Sequence, residues 1–142
     1  MLAVAVAALA AVPAHAEQWY LLDLNDSTID YGDAESVTDY SGYWNVEVFR
    51  GYSPESGRSQ RFARFSVEIN CGLKQYRITR TTTYDQTDRE VSTDETTGEW
   101  QSFSRRGLSD KVRRFACNAE TFPIYVPDPF TDAEANWRVI DH

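Results

Sequence analysis

Apolar and polar side chains alternate along most of this chain, a period typical of β-strands with one buried face. The alternation is longest after residue 61, where one face collects Ala63, Phe65, Val67, Ile69 and Cys71. Strands are also predicted over residues 19–22, 28–31, 35–40, 44–49, 75–84 and 99–104. We interpret 32–33 as a turn and 51–59 and 85–98 as loops, since Gly, Pro, Asp or Ser crowd there. The pattern predicts a mainly β domain.

The period changes near residue 108. Apolar side chains then recur at i, i+4, i+7 and i+8, which is one face of a helix, at Leu108, Val112, Phe115 and Ala116. Cys117 falls at the end of this pattern, so we expect its side chain to turn towards the sheet. The fold class is therefore α+β.

Prolines interrupt the rest of the chain, at positions 123, 127 and 129. Residues 118–142 are predicted to form a Pro-rich extension of the β domain, which spans 17–117. A short helix is expected over 132–140, with Trp137 and Ile140 as its contacts.

The first sixteen residues have the pattern of a secretory signal peptide. Residues 1–12 carry no charge, Pro13 breaks the apolar run, and Ala14 and Ala16 occupy the −3 and −1 positions of a cleavage site. We expect cleavage after Ala16, rather than a buried N-terminal helix. No cysteine lies at the cleavage point to carry a lipid anchor, which favours release into the periplasm or the medium.

The expected mature chain is acidic. Its 22 acidic and 14 basic residues give a net charge of −8, which disfavours nucleic acid and anionic lipid as partners. No later stretch approaches the ~18 apolar residues of a membrane span. The partner expected is thus an unidentified protein or envelope component.

Cys71 and Cys117 are the only cysteines. An even number in an exported chain favours a disulfide over two buried thiols. A zinc site would need further ligands, and His142 is the only histidine after the cleavage point. We therefore predict a Cys71–Cys117 bridge, no metal and no cofactor.

The same lack of histidine disfavours His-based acid–base and nucleophilic catalysis. We expect a protein that is not an enzyme. The remaining catalytic alternative is a hydrolase that uses two of the many carboxylates, since sequence gives no distances between them.

Five of the 14 basic residues fall within ten positions, namely Arg105, Arg106, Lys111, Arg113 and Arg114. Such a run is either a solvated helix face or a docking patch. A docking patch would receive an acidic partner, or the acidic body of a second copy in a homodimer.

The order of landmarks resembles the surface-adhesin protein E family of small exported Gram-negative domains. The resemblance covers residues 19–117 and rests on "DSTIDYGD", "YWNVEVF", "ARFSVEINCGLKQYRI", "EWQSF" and "LSDKVRRFAC". It implies a twisted antiparallel sheet of about six strands that receives the C-terminal helix on one face, with the Cys71–Cys117 bridge tying strand to helix. The family's best-known member is a dimeric outer-membrane lipoprotein that binds host matrix and plasma proteins.

The sequence thus favours a non-catalytic exported binding module that uses its sheet surface or its helix. The main alternative is a periplasmic inhibitor or small-ligand carrier with a cavity between helix and sheet.

Overall fold

A computed structural model describes residues 16–140. The predicted signal peptide, Ala16 apart, and His142 lie outside these residues. The described chain forms β1 (Trp19–Leu24), β2 (Thr28–Tyr40), β3 (Tyr43–Tyr52), β4 (Gln60–Asn70), β5 (Gln75–Asp85), β6 (Glu90–Asp94), β7 (Gln101–Ser102), α1 (Leu108–Cys117), β8 (Tyr125–Val126) and α2 (Pro129–Ile140).

The strands form a single antiparallel sheet in the order β6-β5-β4-β3-β2-β1-β8, and β7 pairs with a separate part of β5. Consecutive strands are neighbours because short turns join them, which only antiparallel pairing allows. The predicted class is confirmed: the protein is mainly β, with a helix packed on the sheet and tethered by a disulfide. The described chain has eight strands rather than about six.

The turn predicted at residues 32–33 is wrong, because β2 continues through it. Gly32 serves a close approach instead, since a Cβ there would lie 2.9 Å from Cε1 of Phe115. Asp33 accepts hydrogen bonds at Oδ1 from the backbone N–H groups of Gln18, at 2.8 Å, and Glu35, at 3.1 Å. The irregular pairing of β2 with β3 begins just after it.

The region around the predicted loop 85–98 also differs. It contains β6, which pairs with β5 through Thr81–Tyr84 and is exposed along its whole length. Conversely, the strand expected over 99–104 shrinks to β7. An edge strand with neither face buried has no apolar alternation, so the pattern did not reveal β6.

Each face of the sheet has a buried apolar core and its own helix. The α1 face packs under α1 and buries Leu22, Val46, Val48, Val67, Ile69, Val112, Phe115 and Ala116. The α2 face packs under α2 and buries Trp19, Ile29, Tyr31, Phe49, Phe62, Val126, Ala133 and Trp137. The second core is rich in aromatic rings, which bury the most area per residue.

The C-terminal extension therefore contributes a strand and a helix to the packed structure. The helix starts at Pro129 rather than at residue 132, because Pro suits the first helical turn. Asp128 precedes it, and its Oδ1 accepts a hydrogen bond from the Phe130 N–H at 3.1 Å. The expected contact of Trp137 is confirmed by its 2 % exposure, whereas the contact expected for Ile140 is wrong, since it is 50 % exposed.

We expect Gly51→Val to loosen α2. A Cβ at Gly51 would lie 3.0 Å from both Cβ of Ala133 and Cγ2 of Ile29, and neither short side chain can turn away. Overpacking of this kind costs about 1–3 kcal/mol of unfolding free energy. Hydrogen exchange should show faster exchange in α2 than in α1. Gly72→Val is the control, because its nearest neighbour is the Asn70 side chain at 3.6 Å; equal effects of the two variants would contradict the prediction.

Candidate functional site

Helix α1 leaves a cavity on each of its sides. The Arg50 cavity, of about 330 Å³, is lined by Arg50 and mainly by apolar side chains that include Val48, Phe65, Val67, Ile78 and Val112. The Trp44 cavity, of about 490 Å³, lies by the C-terminal end of α1 and is lined by side chains that include Tyr20, Val37, Trp44, Phe115 and Phe122. Both cavities are on the α1 face.

Arg50 is held by a buried carboxylate. Its Nε donates to Oδ1 of Asp30 at 2.7 Å and its Nη2 donates to Oδ2 at 3.1 Å. Burial raises the pKa of Asp30 above its ordinary value, and the hydrogen bond and charge of Arg50 offset part of that rise. Burial by itself would lower the pKa of Arg50, but the hydrogen bond and charge of Asp30 outweigh it and raise that pKa. The bidentate geometry fixes the guanidinium plane.

Lys111 is the member of the predicted basic patch that faces the sheet. Its Nζ donates to Oδ1 of Asp23 on β1, which ties α1 to the sheet. Arg105 and Arg106 are instead exposed in the turn before α1 and make no ion pair within residues 16–140.

The other two patch residues lie on α1 and are half-buried. Arg113 donates to Oδ1 of Asp110 at 2.8 Å. Arg114 bonds both oxygens of Glu120, beyond the end of the helix. The structure therefore places Arg105 and Arg106 apart from three basic residues whose charges are already paired with carboxylates.

The α2 face is covered along only part of its length. Its open part is organised around Glu47, which accepts from Arg64 Nε at 3.0 Å, from Ser66 Oγ at 2.5 Å and from Arg80 Nη2 at 3.5 Å. Arg64 also donates to Glu17 at 2.8 Å. Burial by itself would lower the pKa of Arg64. The hydrogen bonds and charges of Glu47 and Glu17 together outweigh burial, so the pKa of Arg64 is raised.

Two aromatic rings lie beside this network. Arg77 donates from Nε and Nη2 to Oε1 of Glu68, and its Cζ lies 4.5 Å from the ring centroid of Trp100. The Tyr43 ring lies 5.4 Å from that of Trp100. We call the set Tyr43, Arg64, Arg77, Arg80 and Trp100 the arginine–tryptophan surface.

The sequence revealed this surface only in part. The alternation of β4 placed Arg64 and Glu68 on the polar face, but nothing in the pattern placed Trp100 there. Its position depends on residues 98–102 folding back along β5, where the Gly98 N–H donates to the Ile78 carbonyl at 2.8 Å. Such a return is a tertiary feature without a local period.

Within residues 16–140, no group of three or more His, Cys, Asp or Glu side chains is arranged to hold a metal ion. In the same part of the chain, no helix is long and apolar enough to cross a membrane.

The disulfide is confirmed: Cys71 and Cys117 are bonded at 2.06 Å, with their Cα atoms 5.8 Å apart. Cys71 directly follows β4 and Cys117 is the last residue of α1.

Comparison with protein-family models matches residues 19–118 to the family described as Surface-adhesin protein E. The match runs from β1 to the residue after Cys117, so β8 and α2 lie beyond it. Comparison with curated proteins and with solved structures finds no significant match. Because the matched segment spans well over half of the 142 residues, the chain belongs to the surface-adhesin protein E family.

Proposed function

We propose that this protein is a non-catalytic, exported binding module that contacts a protein of the envelope or of a host through the arginine–tryptophan surface. The observation that carries the proposal is the open part of the α2 face, which presents three arginines together with two neighbouring aromatic rings, one of them under Arg77. Trp, Tyr and Arg are the side chains that contribute most of the binding energy in protein interfaces. Strands β3, β4 and β5 hold Tyr43 and the three arginines, and Trp100 lies next to β7, so binding would order few side chains.

Export is part of the same proposal. A Cys71–Cys117 disulfide persists in an oxidising compartment, and the family is one of surface adhesins. We infer cleavage after Ala16 and residence in the periplasm or outside the cell. Next to that point, Glu17 accepts a hydrogen bond from Nε1 of Trp19 at 3.0 Å.

The basic run around α1 supports this role less well. Three of its five side chains are paired with Asp23, Asp110 and Glu120, so a partner would have to compete for them. Arg64, Arg77 and Arg80 are also paired with glutamates and are no more isolated from solvent than the α1 residues, at 29 %, 30 % and 46 % exposed. What distinguishes them is that they lie on the neighbouring strands β4 and β5, on the face that also carries Tyr43 and Trp100. Their order is already established before a partner arrives.

The test combines cross-linking with a matched pair of variants. A photoreactive residue at position 80 should capture a specific protein from envelope fractions or immobilised host matrix, and one at position 106 should not. Arg77→Ala with Trp100→Ala should then weaken binding of that protein about tenfold or more. Arg105→Ala with Arg106→Ala is the control and should bind normally.

Loss of binding in the control alone would move the contact to the helix end and contradict the proposal. So would the absence of a specific capture at position 80 from every fraction. Capture of a second copy of this chain would identify the surface as a homodimer interface instead.

A further inference from the structure

The Arg50 cavity lies on the opposite side of the sheet from the arginine–tryptophan surface, and protein binding there gives it no role. Its floor is formed by β3, β4 and β5, and its roof by Leu108 and Val112 of α1, with Phe103 at the side. A volume of about 330 Å³ is within the range of small-molecule sites. Such sites are mostly apolar and contain a few fixed polar groups, and this cavity fits that description.

The register of the sheet places the polar group at one end. Arg50 is paired with Ala63, Val48 with Phe65, and Val46 with Val67. Ile78 continues the last row and Tyr76 begins the next. The cavity therefore runs from a guanidinium at one end, past aliphatic and aromatic side chains, to a tyrosine.

Arg50 has hydrogen-bonding capacity to spare. A guanidinium carries five N–H donors, and Asp30 accepts two of them. Tyr52 is the other neighbour, with its ring centroid 6.0 Å from Cζ, and after Asp30 its hydroxyl also raises the pKa of Arg50. Even if that hydroxyl accepts one hydrogen bond, donors remain free within residues 16–140. The side chain is 25 % exposed, and in the described part of the chain no side chain of the cavity lining is a hydrogen-bond partner of Arg50.

We propose that the Arg50 cavity binds a small amphipathic acid, with its apolar body between α1 and the sheet and its carboxylate on the free donors of Arg50. Arginine favours a carboxylate over a neutral oxygen, because the hydrogen bonds are charge-assisted and planar. Asp30 and the ligand would share one guanidinium, so binding should be reversible rather than tight. The proposal is independent of the proposed function and gives a chemical class to the small-ligand carrier that the sequence left as an alternative.

Three probes with one apolar chain test the class. Calorimetric titration of the disulfide-bonded protein, below the micellar concentration, should show decanoate binding about tenfold or more tighter than decan-1-ol. Decylammonium should not bind. Octanoate, two methylenes shorter, should bind about tenfold more weakly than decanoate. Equal affinities for decanoate and decan-1-ol, or no binding of decanoate, would overturn the proposal.

Variants that fill a cavity locate the site. Ile78→Trp, from the sheet, and Leu108→Trp, from α1, should each abolish decanoate binding while thermal unfolding stays cooperative. Val37→Trp fills the Trp44 cavity instead and should leave binding unchanged. Using two filling variants protects the test against one of them failing to fold. Decanoate binding that survives both, or that is lost in Val37→Trp, would exclude the Arg50 cavity as its site.

The double variant Asp30→Leu with Arg50→Met isolates the anchor. It removes the guanidinium without leaving its buried carboxylate partner unpaired. Decanoate and decan-1-ol should then bind with similar affinity. A preference for decanoate that persists in this variant would show that Arg50 is not what holds the carboxylate.

Discussion

Replacing Arg50 with methionine should lower the free energy of unfolding by about 3–5 kcal/mol at neutral pH. Asp30 has no exposed side-chain surface, and Arg50 supplies both hydrogen bonds to its carboxylate. Without Arg50, a negative charge would remain buried in an apolar layer and could not be hydrated. Urea unfolding followed by tryptophan fluorescence measures the loss, and an unchanged slope with urea would show that the folded state stays compact.

The matched control removes both charges. Asp30→Leu with Arg50→Met replaces the pair by apolar side chains, which is often neutral or stabilising at buried positions. The double variant should therefore recover most of the stability that Arg50→Met loses. A double variant as unstable as the single one would mean that Arg50 stabilises the fold through packing of its methylenes rather than through Asp30.

At acid pH, the difference in unfolding free energy between Arg50→Met and the native protein should become smaller. Burial raises the pKa of Asp30 in the folded state above its unfolded value, so the folded protein binds that proton more tightly. The stability that protonated Asp30 contributes is fully present below the unfolded pKa of Asp30 and is lost as the pH rises through its folded pKa. In Arg50→Met the rise is no longer offset by the guanidinium, so the deficit should be smaller at pH 4 than at pH 7. An equal deficit at the two values would argue against an ionised Asp30.

The sequence indicates that Arg50, one member of this pair, is unusual. Arg50 continues the alternation of Trp44, Val46 and Val48, so it is a charged residue at an apolar position of a strand. Asp30 gives no such signal, because a polar residue between Ile29 and Tyr31 is what ordinary strand alternation predicts. What the sequence could not provide is the register that places Asp30 directly opposite Arg50 on β2 and β3.

Prediction succeeded where one face of an element is buried and the other is polar. That is the case for β3, β4 and α1, and their residues were assigned with small errors at the ends. It failed for β6, which is exposed on both faces. It also understated residues 125–140, whose β8 pairs with only two residues of β1 and whose helix follows a proline-rich stretch. Of the two contacts expected there, Trp137 is buried and Ile140 is not.

The basic run around α1 likewise shows that composition reveals a cluster of charge but not which carboxylates neutralise it. A dense charge is visible in the sequence, but the partners of Lys111 and Arg114 are Asp23, far away in the chain, and Glu120, beyond the helix. Ion pairs of this kind depend on tertiary position, so a count of basic residues overstates the free positive charge.

The second large loss of stability is expected when the disulfide is removed. Cys71→Ser with Cys117→Ser opens a loop of 46 residues, for which the chain-entropy model assigns about 4 kcal/mol of unfolding free energy. Urea unfolding of the oxidised protein and of the variant measures the difference. Oxidised protein treated with a reductant should fall to the level of the variant.

A matched control at the same end of α1 is Glu120→Gln, which breaks the pair with Arg114 but leaves the bridge intact. Because that pair is at the surface, its loss should change stability little. If Glu120→Gln were as destabilising as the double serine variant, the effect would belong to the position and not to the bridge.

The loss of stability on removal of the disulfide should differ between the two helices. Helix α1 buries only Val112, Phe115 and Ala116, so without the bridge it is held by a small apolar contact and by Lys111 with Asp23. The α2 face has its own aromatic core and contains no part of the bridge. Hydrogen exchange should therefore rise in α1 before it rises in α2, and decanoate should lose its site on reduction before the sheet unfolds. Equal exchange of the two helices in the serine variant would mean that the two faces unfold as a single unit and that the bridge stabilises both.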